Sequence, residues 1–135
     1  MDYVEQLKLQ VKNGRLNGKV SFLGFYEHPR KAMAAFDLAV LATKCETFGL
    51  VLIEAMSTGT PVIGTRACGV PEIIKDGFNG LMFEPDNVED LANKIKLIYE
   101  NNILREKIGN EGKLSVENRF KEKDHYERLM KYFHT

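Results

Sequence analysis

The stretch that decides the fold is residues 44–61, KCETFGLVLIEAMSTGTP, whose pattern predicts a buried helix between two strands. Two short apolar runs flank the helix, at residues 38–42 and 61–65. Within residues 50–56 every side chain is apolar except that of Glu54, so little of the helix can face water. A carboxylate in such surroundings is rarely buried unless another group pairs with it. Glu54 is therefore the first candidate for a ligand-binding residue.

The composition bounds the class of protein. A chain of 135 residues suits one domain, and its 19 basic and 19 acidic side chains cancel, so no overall field favours nucleic acid or an anionic membrane. Residues 45–100 hold nine acidic against four basic side chains, an acidic setting for an anionic ligand unless cations come from elsewhere. No apolar run reaches membrane-spanning length and the N-terminus lacks the apolar core of a signal peptide, so we expect a cytoplasmic protein.

The two cysteines, Cys45 and Cys68, match no zinc or redox spacing. We expect reduced thiols in a cytosolic protein rather than a disulfide framework. No cluster of potential ligands suggests a metal site.

Hydrophobic periodicity predicts alternating strands and helices. Strands are expected at residues 20–25, 38–42, 62–63 and 80–83. Helices are expected at residues 4–11, 29–36, 50–56, 73–74, 88–98, 104–116 and 123–133. Asp86 and Glu89 predict a capping box, and Gly109 and Gly112 predict an interrupted helix. The alternation indicates an α/β fold, a Rossmann-like parallel sheet with helices on both faces, in a single domain of residues 1–135 that ends in a C-terminal helix at 121–135.

Glu46 and Glu54 are separated by seven residues, and Glu46 is expected in the loop just before the helix. Gly49 allows a ligand to approach the backbone closely, and the first N–H groups of the helix carry the positive end of its dipole. A phosphate or diphosphate fits such a place. The spacing alone favours a structural role, because such pairs occur by chance and Glu46 can cap the helix.

The block at residues 46–63 resembles the E-x7-E signature of retaining family 4 glycosyltransferases. Residues 22–24, 69–72 and 76–81 resemble the family's remaining blocks, in the family's order, so the likeness runs from about residue 20 to the C-terminus. The resemblance implies the GT-B fold, in which two Rossmann-like domains face a cleft. This chain would be an incomplete C-terminal, donor-binding domain that lacks its first two strands.

The resemblance also implies roles for individual residues. Glu54 would bind the ribose of the nucleotide donor, and Glu46 would be the catalytic residue, which orients the transferred sugar or stabilises its charge. The backbone amides around Phe48, Gly49 and Leu50 would hold the hydroxyls of the donor sugar or the diphosphate.

The nucleotide base would be lined by Gly24, Phe25 and Tyr26. The family also uses an Arg and a Lys on the diphosphate, in a block that no residue before position 20 matches. Arg66 and Lys44 are the only cations expected near the site, and neither lies in that block.

The implied function is donor binding within a glycosyltransferase that transfers a sugar from a nucleotide diphosphate sugar to a glycan, polysaccharide or lipid-linked acceptor, without a cofactor or metal. The resemblance implies that the N-terminal acceptor domain would be absent from this chain, so the chain alone is expected to be inactive. The parent enzyme would act in polysaccharide biosynthesis, in the cytoplasm or at the inner membrane face, with at most peripheral membrane association. The alternative is a stand-alone nucleotide-sugar binding module, or a self-associating remnant.

Loss of the first two strands has a structural consequence. In the Rossmann order the missing strands lie between the strand at 20–25 and the strand at 38–42. We expect these two strands either to pair directly or to recruit a second chain, which would give a homo-oligomer through exposed strand edges.

Overall fold

The computed structural model describes residues 2–45, 49–119 and 131, in which three parallel strands form one sheet in the order β1-β2-β3. The strands are β1 (Ala39–Leu41), β2 (Val62–Thr65) and β3 (Leu81–Phe83). The helices are α1 (Tyr3–Asn13), α2 (Pro29–Ala34), α3 (Leu50–Ser57), α4 (Val70–Ile73), α5 (Val88–Glu100) and α6 (Asn102–Arg119). The predicted α/β class with a parallel sheet is confirmed.

The side chains of β2 alternate between two cores, one on each face of the sheet. Val62 packs with Met56 of α3 and with Met82. Ile63 is paired with Leu81 in the register, and both pack with Ile98 of α5 on the opposite face. All four residues of β2 are buried, as expected for the central strand of a parallel sheet covered on both sides.

Helix α6 is continuous, so the prediction that Gly109 and Gly112 interrupt it is wrong. Both glycines are buried where α6 meets the rest of the domain. A Cβ on Gly109 would lie 2.5 Å from the carbonyl oxygen of Gly59, and one on Gly112 would lie 3.2 Å from that of Asn79. The glycines therefore serve close packing and do not break the helix.

The predicted strand at residues 20–25 is absent, and residues 20–28 form neither a strand nor a helix. Among the described residues β1 pairs only with β2, so the expected direct pairing of 20–25 with the strand at 38–42 is also wrong. The physical reason is the lack of a neighbouring ladder: without one, this segment has no inter-strand hydrogen bonds and leaves Phe22 and Phe25 exposed. Recruitment of a second chain stays a prediction.

The start of α5 differs from the predicted capping box. Asn87 is the N-cap, and its side-chain oxygen accepts a 2.9 Å hydrogen bond from the N–H of Asp90. Asp86, with φ +60°, lies one residue too early to cap the helix. The predicted C-terminal helix at 121–135 lies outside the described residues, Lys131 excepted. In the described part of the chain no helix is long and apolar enough to cross a membrane.

Candidate donor-binding site

The site is organised by the start of α3, at the carboxyl end of β1. Gly49 is buried and precedes the helix with φ +60°, a conformation that favours glycine. A Cβ at this position would lie 2.3 Å from Cδ1 of Ile73, so glycine is also required by packing. The first hydrogen bond of the helix runs from the Ile53 N–H to the Gly49 carbonyl, at 3.1 Å. The N–H groups ahead of Ile53 therefore have no acceptor within the helix.

Glu54 lies one turn into α3, on the same side of the helix as Leu50. It is 8% exposed, between Ile53 and Ala55, which are also buried. Within residues 2–45, 49–119 and 131, no hydrogen bond or ion pair reaches its carboxylate. Burial raises the pKa of Glu54 above its ordinary value of 4.5, and the charge of Arg30 partly offsets that increase. The carboxylate is a desolvated acceptor that a ligand could satisfy.

Arg30, in the first turn of α2, is a residue that sequence reasoning missed. Helix α2 packs against α3, and the Arg30 charge lowers the pKa of Glu54 against the larger effect of burial. The available signal was the Pro29-Arg30 pair, since Pro29 begins a helix and places the next side chain at its first turn. The prediction that Arg66 and Lys44 are the only nearby cations is therefore wrong.

Arg66 is already paired with two carboxylates. Its Nη2 lies 2.6 Å from Oδ2 of Asp76, and its Nε lies 3.0 Å from Oε1 of Glu84. The other oxygen of Asp76 accepts a 3.0 Å hydrogen bond from the N–H of Met82. This cluster connects the loop after β2 to β3. Its two carboxylates occupy the guanidinium group of Arg66. Arg66 is thus a structural cation rather than a free partner for a diphosphate.

The cysteines form a disulfide, so the expectation of reduced thiols is wrong. Cys45 follows β1 and Cys68 follows β2, and the two strands are parallel neighbours. Their loops leave the same edge of the sheet, which brings the two Cα atoms to 5.4 Å, within the range a disulfide requires. The 23-residue separation hid this pairing from sequence reasoning, because only the sheet brings the cysteines together.

The predicted site residues fall into three groups. Gly49, Leu50 and Glu54 are brought together at the start of α3. Glu46 and Phe48 lie outside the described residues. The base-lining group is placed on the exposed segment before α2, and in the described part of the chain no hydrogen bond joins that group to α3; its members are Gly24, Phe25 and Tyr26.

Comparison with known proteins identifies the family. The model for glycosyl transferases group 1 matches residues 1–115. The chain belongs to this family. It is 35% identical over 111 residues to N-acetyl-alpha-D-glucosaminyl L-malate synthase from Bacillus anthracis, which covers 82% of the chain and 29% of that relative.

Solved structures share the fold. HepE from Anabaena, crystallised with UDP and glucose, superposes with a TM-score of 0.89 at 31% identity, covering 97% of this chain and 36% of HepE. The C-terminal domain of the group 1 glycosyl transferase LpcC from Francisella tularensis gives a TM-score of 0.79 at 31% identity, covering 89% of this chain and 63% of that domain. The chain matches the C-terminal domain of a GT-B glycosyltransferase. It spans about a third of the length of HepE and less than a third of the malate synthase.

Proposed function

We propose that this chain is the donor-binding part of a retaining family 4 glycosyltransferase. The parent enzyme transfers a sugar from a nucleotide diphosphate sugar to a glycan, polysaccharide or lipid-linked acceptor. The observation that carries the proposal is Glu54, a side chain only 8% exposed whose carboxylate has no partner among the described residues, one turn inside a helix whose first hydrogen bond begins only at Ile53. The UDP-bound relatives with the same fold support a nucleotide sugar as the ligand class.

Glu54 takes the ribose in this proposal. Two neighbouring hydroxyls can each donate a hydrogen bond to one carboxylate, which offsets the desolvation that raises the pKa of Glu54. The charge of Arg30 favours the ionised form, which is the form that accepts both hydrogen bonds. Binding of ribose therefore supplies the hydrogen bonds that no described residue donates to this carboxylate.

The start of α3 takes the diphosphate and the sugar. The amides around Phe48, Gly49 and Leu50 approach the ligand closely, since Gly49 carries no side chain and the helix dipole favours negative charge. As the sugar is transferred, charge grows on the leaving diphosphate, and fixed N–H groups stabilise that charge without reorganising. Glu46 orients the sugar or stabilises positive charge on it.

The base lies against residues 24–26. Phe25 is 95% exposed and Tyr26 is half-exposed, so both rings are available to stack on a flat heterocycle. No cofactor or metal is assigned to the reaction. In this proposal the parent enzyme supplies the cations that complete the diphosphate site, and it also supplies the acceptor site. The chain alone therefore transfers no sugar.

Titration calorimetry with UDP, GDP, ADP and UDP-glucose tests the ribose assignment. Glu54→Ala should raise the Kd for the preferred nucleotide by about 10- to 100-fold, because hydrogen bonds to a charged group contribute about 1.5–3 kcal/mol. The matched control is Glu106→Ala, an exposed glutamate on α6, which should leave the Kd unchanged. Equal affinities for the parent chain and Glu54→Ala would refute the assignment.

A further inference from the structure

The Cys45–Cys68 disulfide links the two loops that border the proposed donor site. One loop leads from β1 towards α3, and the other leads from β2 into α4. Ligands of open α/β sheets bind in the crevice outside the carboxyl ends of the strands, where both loops lie. The covalent bond therefore lies at the carboxyl edge of the sheet, beside the proposed site, and outside the packed core.

A second contact joins the start of α3 to α4. Ile73, at the end of α4, reaches so close to Gly49 that a Cβ there would lie 2.3 Å from its Cδ1. The start of α3 is thus placed against α4 by this packing and by the disulfide, which stands four residues before Gly49 in the sequence. Loss of the disulfide leaves the start of α3 held by packing alone.

The backbone of Cys68 lies in the left-handed region, with φ +52°. For a residue other than glycine this conformation is unfavourable and persists only when its surroundings enforce it. Both cysteines are exposed, so a thiol reductant can reach the sulfur atoms. In a reducing compartment, disulfides of this kind are more often redox-sensing than structural.

We propose that the Cys45–Cys68 disulfide is a redox-sensitive positioning element of the donor site, which binds nucleotide sugar more tightly when the bond is formed. This inference rests on the proposed function. A dithiol reductant supplies the chemistry: one of its thiolates attacks a cysteine sulfur and releases the other cysteine as a thiolate. The second thiol of the reductant then attacks this mixed disulfide, which closes the reductant's own disulfide and releases the first cysteine as a thiolate. The protein gains two thiols and the reductant loses two hydrogens.

Thiol titration in denaturant tests whether the bond exists. Protein purified without reductant should show no free thiol, and protein treated with dithiothreitol should show both of its two cysteines. Two free thiols in the untreated protein would overturn the inference. Amide hydrogen exchange then checks the loop: reduction should speed exchange at Ala67 and Val70, whose N–H groups are hydrogen-bonded within the loop.

Binding of UDP-glucose, measured by calorimetry, tests the functional part. Reduction should raise the Kd about tenfold, since binding must then order the freed loops, and reoxidation should restore the original Kd. Cys45→Ser should bind UDP-glucose weakly, and its Kd should not change when reductant is added. Cys68→Gly is the matched variant, because glycine adopts φ +52° readily and the substitution removes the bond without adding backbone strain. Its Kd should also be unchanged by reductant.

The possible failures are distinguishable. If oxidised and reduced protein bind UDP-glucose equally, the redox inference is wrong and the proposed function stands. If neither form binds any of the nucleotides or UDP-glucose, both are wrong. A Kd for Cys45→Ser that still responds to dithiothreitol would also overturn the inference, because no disulfide remains in that variant.

Discussion

Residues 2–45 and residues 49–119 differ completely in burial. No residue in the first part is buried, although it contains two helices and several large apolar side chains. Every buried residue that the structure describes lies in the second part, around β2 and α3. The comparison shows that local sequence signals form helices in both parts, whereas the buried core lies in the second part, with Met33, Ala39 and Leu41 of the first part packed against it.

Helices α1 and α3 illustrate the difference. Helix α1 has a complete capping box between Asp2 and Glu5, yet none of its residues is buried. Helix α3 has no side-chain cap, and five of its eight residues are buried. Capping contributes about 1 kcal/mol, whereas each fully buried apolar side chain contributes about 1.5–3 kcal/mol, so α3 is held mainly by packing.

The largest expected difference between the two parts comes from truncating one leucine in each. Leu81→Ala, in β3, removes a side chain that is 4% exposed and should lower the free energy of unfolding by about 2–5 kcal/mol. Leu9→Ala, in α1, removes one that is 44% exposed and should change it by less than about 0.5 kcal/mol. Urea unfolding followed by circular dichroism measures both. Equal losses would mean that α1 packs against a core.

Two glycines with the same backbone conformation give a smaller contrast. Gly49 (φ +60°) faces Ile73, whereas Gly24 (φ +65°) has nothing within 4 Å of its would-be Cβ. Gly49→Ala should cost about 2 kcal/mol or more from backbone strain and the clash together. Gly24→Ala should cost at most about 1 kcal/mol, since the exposed segment can relax. Thermal unfolding of both variants measures the two losses of stability. A larger loss for Gly24→Ala than for Gly49→Ala would contradict this expectation.

The smallest expected effect is the pH dependence of stability from Glu54. Its folded-state pKa is raised by burial, so the folded chain binds more protons than the unfolded chain, and stability falls as pH rises above about 4.5. Glu54→Gln removes this penalty and should therefore raise the melting temperature at pH 7, with the gain disappearing below pH 4.5.

Glu106→Gln, at an exposed position on α6, is the control and should give no such pH-dependent gain. Thermal melts between pH 4 and pH 8 provide the measurement. If Glu54→Gln destabilised the unliganded chain at pH 7, the carboxylate would have a stabilising protein partner and the ligand assignment would lose its basis.

The sequence predicted the three strands of the sheet and most of what lies in the second part. Strands β1, β2 and β3, the helix around Glu54 and the helix-ending Gly59 follow from apolar runs and glycine positions, which are local signals. The disulfide and the charge of Arg30 on Glu54 could not be predicted, because both depend on which segments the sheet and helices bring together.

In the first part, a local pattern predicted a strand that the structure does not form. Residues 20–25 have a strand-like pattern, but a strand is stabilised by its neighbours, and none of the described residues offers the segment a ladder. Val40 of β1 remains partly exposed at the open edge of the sheet. The prediction that this edge recruits a second chain is checked by sedimentation velocity, in which a monomer at all concentrations would contradict it.

The central claim is that Glu54 and the start of α3 bind the nucleotide sugar. A crystal structure of this chain with UDP-glucose tests that claim most directly. Both ribose hydroxyls should lie within about 2.6–3.2 Å of the Glu54 carboxylate oxygens, with the diphosphate at the amides beside Gly49. Nucleotide bound elsewhere, with the Glu54 carboxylate still unpaired, would contradict the claim.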